Sequence, residues 1–313
     1  MMENHDRTCL VMGGAGFLGR HATEALLESG YRVRVFDREG CALENIVHLL
    51  PRVHLTLGDF SDEACLSRVL EGATDVLHLV GTTVAQTSNE NPVYDVESNV
   101  IPTLRFLALA VRQGIRRVIF SSSGGTVYGI PVSVPIPESH PTEPICAYGI
   151  SKLAIEKYLS LHSRLFGLRS VILRFSNPFG EGTHRLGLQG AINVFLRRLR
   201  EGKPVEIWGD GNVVRDYVYA RDIGQSFVRA VETEAVDEVY NIGSGQGRSL
   251  NDLLASFRET LGLKPEVRYL LSRPFDVPAN ILDIRKAARL LPWQPSTPFE
   301  EGLRRTWEWI RKE

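Results

Sequence analysis

Tyr148 and Lys152 stand four residues apart in Ala147-Tyr148-Gly149-Ile150-Ser151-Lys152. On a helix that spacing puts both side chains on one face. The phenol hydroxyl and the ammonium can then share a cavity, where the cation would lower a phenol pKa that is ordinarily about 10. A serine cluster, Ser121-Ser122-Ser123, precedes the pair, and a glycine-rich turn, Gly13-Gly14-Ala15-Gly16-Phe17-Leu18-Gly19, opens the chain. A turn able to hold a dinucleotide, followed by a tyrosine poised as a base, points to redox chemistry on a hydroxyl group.

The elements that must position these groups are α/β. Cys9–Met12 is a short continuous apolar run, as for a strand covered on both faces, and it enters the glycine turn directly. A helix is predicted next, with Leu18, Ala22, Ala25 and Leu26 inward and Gly30 closing it. Strands are predicted at Tyr31–Asp37, Val53–Asp59, Asp75–Val80 and Arg117–Ser121, with helices near Glu63–Leu70, Asn99–Arg112 and Tyr148–Phe166. This alternation implies a doubly wound parallel sheet with helices on both faces. Ligands bind beyond the carboxyl ends of such strands, where the motifs fall.

The glycine cluster follows a strand and opens a helix, and Asp37 ends the next strand at the distance expected of a dinucleotide site. Glycines let the backbone approach a pyrophosphate, which the free N–H groups of the helix N-terminus then hold. Asp37 would accept from the adenosine ribose hydroxyls and repel a 2′-phosphate, so NAD is favoured over NADP. Arg38 next to it could neutralise such a phosphate, or be a solvated loop charge. Asp59 is placed either to meet the adenine amino group or to cap the following helix.

Lys and Arg total 36 against 37 Asp and Glu, so no global field favours nucleic acid or an anionic membrane. No signal core or bilayer-length apolar run is visible, which implies a cytoplasmic protein. Cys9, Cys41, Cys65 and Cys146 are scattered without a Cys-x-x-Cys pair, as expected of thiols in a reducing compartment. The eight histidines show no metal-ligand spacing, and no metal is expected.

With the glycine turn, the serine cluster leading to Val127-Tyr128-Gly129, and Tyr148-x-x-x-Lys152, the chain resembles the extended short-chain dehydrogenase/reductase superfamily. Within it, the chain looks most like nucleotide-sugar epimerases of the UDP-galactose 4-epimerase type. The likeness runs on through Leu173-Arg174-Phe175-Ser176-Asn177-Pro178, Ile207-Trp208-Gly209-Asp210-Gly211, Arg215-Asp216-Tyr217-Val218 and Tyr240-Asn241-Ile242-Gly243-Ser244. Arg273-Pro274-Phe275-Asp276-Val277-Pro278 and Pro292-Trp293-Gln294-Pro295 follow.

The resemblance implies a Rossmann domain over residues 1–177, its sheet completed by parts of 205–245. A smaller substrate lobe is implied mainly over 178–313. It implies NAD contacts from Gly13, Gly16, Phe17, Leu18, Gly19, Asp37, Arg38, Asp59, Phe60, Asn99, Tyr148 and Lys152. Substrate contacts are implied for Ser123, Tyr148, Asn177, Arg215, Arg273, Asp276 and Asn280; the two arginines suit a diphosphate and Asp276 a ribose hydroxyl. Epimerisation at sugar carbon 4 then uses Tyr148 as base, with hydride passing to NAD and returning to the opposite face of a 4-keto sugar.

The family places a serine or threonine three residues before Val-Tyr-Gly, which here is Gly124. A one-residue bulge restores Ser123 to that role, and Thr126 is the runner-up. Related dehydratases and decarboxylases carry carboxylates in this turn, whereas Gly124-Gly125-Thr126 has none. The resemblance matches Asn280 to the position where a bulky tyrosine excludes 2-acetamido sugars, so UDP-GlcNAc and UDP-GalNAc are expected substrates beside or instead of UDP-glucose and UDP-galactose; the alternative is a turn residue with no substrate contact. The rival readings are a uronate epimerase, a decarboxylase, dehydratase or reductase of a nucleotide sugar, and an idle NAD-binding protein. His78 reads as a core residue, while His184 and Arg185 fall in a possible substrate loop. Val100, Leu104, Leu107 and Val111, with Ile150, Leu153, Leu159 and Leu161, spread apolar surface over more than one helix face. A helix-bundle homodimer is therefore expected.

Overall fold

A computed structural model describes residues 7–182, 190–235, 237–272 and 277–313. The first half holds strands β1 (Thr8–Met12), β2 (Arg32–Asp37), β3 (His54–Leu57), β4 (Asp75–His78), β5 (Arg117–Ser123) and β6 (Arg169–Phe175). Between them run α1 (Phe17–Glu28), α2 (Glu63–Leu70), α3 (Ala85–Glu90), α4 (Pro92–Asp95), α5 (Ile101–Arg112) and α6 (Ala147–Phe166). The second half adds β7 (Asn177–Phe179), α7 (Ala191–Arg200), β8 (Val205–Trp208), β9 (Val214–Tyr219), α8 (Ala220–Glu232) and β10 (Glu238–Ile242). It closes with β11 (Gly247–Ser249), α9 (Leu250–Leu261), β12 (Val267–Leu270), β13 (Ala279–Asn280), α10 (Arg285–Leu290) and α11 (Phe299–Ile310).

Seven strands form one parallel sheet in the order β10-β6-β5-β4-β1-β2-β3. The Rossmann-type α/β fold follows from apolar strands that need cover on both faces. One face buries Val11, Val35, Ile119 and Leu173 under α1 and α8; the other buries Leu10, Val76, Phe120 and Ile172 under α2, α5 and α6. The α1–α8 contact is close because residue 224 is glycine: a Cβ there would lie 2.5 Å from the His21 carbonyl oxygen. Gly30 adopts φ +82° after α1, the left-handed turn that ends helices.

A smaller sheet runs β11-β9-β13, with β7 also paired to β9, and β8 pairs separately with β12. Phe179, Phe195, Leu253, Phe257 and Leu303 form a core of their own here under α7, α9 and α11. Asp216 on β9 ties this region to the large sheet. Its buried carboxylate accepts from the N–H groups of Ser244, Gly245 and Leu282 and the hydroxyls of Ser244 and Ser176.

Element boundaries differ from the sequence reading in two places that matter for the site. β5 runs two residues further than expected, because Ser122 and Ser123 still pair with Arg174 and Phe175. The helical run expected from Asn99 begins earlier, at Pro92, and passes through a π-helical turn at Val96–Val100 before α5. Such turns insert one residue and redirect a side chain; here the redirected segment contains Asn99.

α6 is locked to the sheet by a buried ion pair. Glu156 receives Arg174 through two bonds of 3.0 and 2.6 Å, and the Ser122 hydroxyl donates to it at 2.5 Å. The guanidinium also lies 4.8 Å from the Tyr128 ring, whose hydroxyl donates to Asn241. Removing one partner strands a charge away from water. Glu156→Ala should cost about 3–5 kcal/mol of unfolding free energy, with much of it recovered when Arg174→Met is added; denaturant melts of the two variants check this.

Candidate active site

At the carboxyl end of β1 the glycine turn folds tightly. Gly13 takes φ +81° and its N–H bonds the Phe36 carbonyl oxygen at 2.8 Å. A Cβ on Gly19 would lie 2.1 Å from Gly13 O, and one on Gly13 3.0 Å from the Leu79 backbone. Glycine is required at both positions, leaving Gly16 to begin α1 without a side-chain cap. The first-turn N–H groups are thereby available to an anion. Phe17 and Leu18 form that first turn, Phe17 packing edge-on to His21.

Asp37 closes β2 beside this turn, its Oδ2 accepting from Ala15 N–H at 2.9 Å and its Oδ1 from Arg38 N–H at 2.8 Å. Arg38 is exposed. Asp59 is exposed too, and folds back on the Ser61 N–H and hydroxyl. The cap of α2 is Asp62, not Asp59, so the helix-cap alternative for Asp59 is corrected. Phe60 is buried against His78. His78 is a core residue, wedged among Phe60, Phe106 and Phe120 and bonded to Thr103. Burial and then the nearby Lys152 push its pKa down to about 3, so it is neutral.

Across the sheet, the N-terminal turn of α6 carries Tyr148. It is held from outside the helix: Asn89 accepts from Ala147 N–H and Ser88 from Tyr148 N–H, both at 2.9 Å. A Cβ on Gly149 would lie 2.8 Å from the Thr126 carbonyl oxygen, so α6 starts in contact with the Ser123–Val127 turn. Lys152 donates to the Ser121 carbonyl at 2.8 Å, with its Nζ 4.8 Å from the Phe120 ring and 5.6 Å from the Tyr148 ring.

The electrostatics depart from the sequence expectation. Burial, then Cys146 and Asp95, raises the Tyr148 phenol above its ordinary value instead of lowering it. Burial likewise brings Lys152 down to about 8, against the pull of Asp95 and Glu156. In the polypeptide alone, burial sets the direction of both shifts.

The serines have separate duties. Ser121 offers its carbonyl to Lys152 and Ser122 gives its hydroxyl to Glu156. Ser123 ends β5, where its carbonyl accepts from Thr126 and Val127 N–H and folds Gly124–Thr126 into a tight turn. Thr126 Oγ1 is buried with no hydrogen-bond partner among the described residues.

From the other side, Asn280 on β13 is 1% exposed and donates to Gly124 O at 3.1 Å. It sits behind the turn that carries Ser123. Asn177 donates to Asp216 O at 3.1 Å, and Arg215 donates to the carbonyls of Val214 and Val277. Arg273 and Asp276 lie outside the described residues, as do His184 and Arg185. Asn99 is bonded inside the protein, accepting from Thr82 N–H and donating to Asp95.

Two acidic residues at the site were missed by sequence reading. Glu156 continues the 148, 152 spacing by one more turn, a signal that was available. Asp95 was not legible, because its partner Ser151 lies far along the chain. No group of three or more metal-ligating side chains occurs among the described residues.

Lys152 carries a stability cost with a definite pH signature. Its folded-state pKa of about 8 lies below the ordinary 10.5. Between those values the unfolded chain binds the proton that the folded chain has released, so this group's contribution to stability rises with pH there and its penalty is full below 8. Lys152→Met should therefore be more stable than wild type at neutral pH by about 2 kcal/mol: about 3 from the relieved charge, less about 1 for the lost bond to Ser121. The advantage should fade towards pH 10, as read by denaturant melts across pH.

Comparison with known proteins agrees with this geometry. Residues 9–243 match the family described as NAD dependent epimerase/dehydratase. A UDP-glucose 4-epimerase of Rhizobium leguminosarum bv. trifolii is 35% identical, over 97% of this chain and 98% of its own. The structure of UDP-glucose 4-epimerase from Thermotoga maritima, solved with UDP-glucose, superposes with a TM-score of 0.92 at 36% identity, covering 97% of this chain and 99% of that one. UDP-N-acetylglucosamine 4-epimerase from Methanobrevibacter ruminantium, solved with UDP-N-acetylmuramic acid, gives 0.92 at 28% identity over 98% and 99%. The tight glycine turn, the uncapped α1 and Asp37 beside it fit the dinucleotide that this family uses. The chain belongs to the NAD-dependent epimerase/dehydratase family, among its UDP-sugar 4-epimerases.

Proposed function

We propose that this protein interconverts the C4 epimers of a UDP-hexose through a 4-keto sugar, accepting glucose and galactose forms and their 2-acetamido counterparts. The observation that carries the reading is the meeting of Tyr148, Lys152 and the Ser123–Thr126 turn at the carboxyl end of β5, at the same end of the parallel strands as the glycine turn. NAD supplies the hydride acceptor and donor, and its positively charged nicotinamide supplies the field that favours phenolate. Tyr148 takes the proton of the C4 hydroxyl and later returns it. Lys152, held in place by the Ser121 carbonyl, stabilises the phenolate and binds the nicotinamide ribose. Ser123 donates a hydrogen bond to the reacting oxygen; Thr126, with its buried unpartnered hydroxyl, is the second candidate.

The turn supports epimerisation over related chemistry. Elimination of water or loss of carbon dioxide needs a further acid or base, and Gly124-Gly125-Thr126 supplies no carboxylate. The small residue at position 280, where a bulky tyrosine would exclude a 2-acetamido group, supports acceptance of the acetamido forms; its side chain is buried against Gly124 O. Arg215, with Arg273 and Asp276, is assigned to the UDP moiety.

We also infer a homodimer through α4–α6. Val93, Tyr94 and Ile101, with Ile150, Tyr158, Leu161 and Leu165, are exposed apolar residues that a second copy would cover. Of the apolar residues spread over these helix faces, Val100, Leu107 and Leu159 form the inner stripe buried in the core, while Ile150 and Leu161 are exposed. Cys9, Cys41, Cys65 and Cys146, none of them in a disulfide, suit a reducing cytoplasm.

Purified protein given UDP-glucose, UDP-galactose, UDP-GlcNAc or UDP-GalNAc, with no cofactor added, should interconvert both pairs, as resolved by chromatography. Absence of conversion of all four, even with NAD supplied, would refute the reading. Tyr148→Phe should lower turnover at least about a hundredfold while NAD stays bound, measured by cofactor release on denaturation.

A further inference from the structure

Asp95 stands at the end of α4 and is 1% exposed. Its Oδ2 accepts the Ser151 hydroxyl of α6, and its Oδ1 accepts the Thr83 hydroxyl and, at 3.1 Å, the Asn99 amide. Every one of these partners is neutral. Glu156, the other carboxylate near Lys152, is by contrast matched by Arg174 at 2.6 Å. Thus, of the two anions beside the buried Lys152, one is compensated and one is not.

The remaining groups facing Lys152 cannot replace that charge. His78 on β4 is neutral, Tyr148 is a phenol, and burial keeps the Cys146 thiol protonated. Burial opposes a charged Lys152, and Asp95 ranks ahead of Glu156 among the influences that restore it. Geometry adds a tether: Asp95 grips Ser151, next to Lys152 along α6, while Thr83, its other hydroxyl partner, comes from the segment after β4 that borders the glycine turn.

We propose that Asp95 is a positioning residue for the catalytic pair: its uncompensated carboxylate keeps Lys152 in the ammonium form and, through Ser151 and Thr83, fastens the segment after β4 to α6. The assignment rests on the reading of Tyr148 and Lys152 as the catalytic pair. It differs from the Glu156–Arg174 clamp, which fixes α6 without leaving a net charge beside the lysine.

The chain has six lysines, few enough to follow individually by NMR in NAD-loaded protein carrying carbon-13 lysine. The Lys152 signal is the one lost in Lys152→Arg. In Asp95→Asn its titration midpoint should fall by about one pH unit or more, the size expected when a nearby opposite charge is removed. Ser151→Ala, which removes a tether and no charge, should leave the midpoint in place while lowering the melting temperature. Removing the neutral pair together, Glu156→Gln with Arg174→Met, should shift it less than Asp95→Asn does. An unchanged midpoint in Asp95→Asn, or an equal or larger shift when Glu156→Gln and Arg174→Met remove the neutral pair together, would overturn the proposal.

If Asp95→Asn does not fold, Asp95→Ser, which keeps a hydroxyl acceptor, takes its place. Failure of both neutral variants to fold while Asp95→Glu folds would make Asp95 a folding residue and also overturn it. The readout needs no substrate: a wild type that converts no UDP-hexose, with Asp95→Asn still giving the predicted lysine shift, would support this role and refute only the substrate assignment.

Discussion

A cation kept out of water is the constraint on which the site depends. Lys152 lies between α6 and β5, with the Phe120 ring beneath its ammonium and the Ser121 carbonyl as acceptor. A buried ammonium resists remaining charged, so the surroundings have to be arranged around that difficulty. The buried carboxylates, the hydroxyls that hold them, and a helix start secured from outside all serve one narrow region. Function here is set against stability in the sense common to active sites.

The two sides of the site are anchored differently. On the cofactor side the backbone does most of the work: glycine geometry, a helix left uncapped, and a strand-end aspartate bonded to the turn itself. On the catalytic side, side chains do it. α6 is pinned at its start by Ser88 and Asn89, in its middle by Asp95, and further on by Glu156 and Arg174. A loop can approach a phosphate with backbone alone, but a phenol and an ammonium must be aimed, and aiming needs a helix that neither rotates nor slides.

What could be read from the sequence follows the same division. The glycine turn, Asp37 and the Tyr148–Lys152 spacing are local patterns, and strand–helix alternation was enough for the parallel sheet. The direction of the Tyr148 shift was not legible, since spacing reports which groups share a face and says nothing of how dry that face is. Asp95 and Ser151 were invisible for a related reason: their contact joins residues that the π-helical turn and two short helices bring together. The apolar surplus on α5 and α6 was legible as a surplus beyond the stripe that packs on the sheet, but the exposed Tyr158 and Leu165 were not among the residues read. Asp59 could be read either as an adenine partner or as a helix cap, and Asp62, three residues later, holds the cap.

The sheet's last strand has a consequence for synthesis. β10 pairs with β6, yet between them the chain leaves to build β7, β8 and β9. A nascent chain emerging in order therefore presents the β6 edge uncovered, with its row of free N–H and C=O groups, until Glu238–Ile242 arrives. Such an edge is a template for unwanted pairing with other chains. In the finished protein β10 is itself guarded: Glu138 accepts the Asn241 N–H and Lys286 donates to the Val239 carbonyl. The vulnerable interval belongs to translation, and a chain stalled or cut within it would be left with a sheet edge that only its own missing segment was shaped to close.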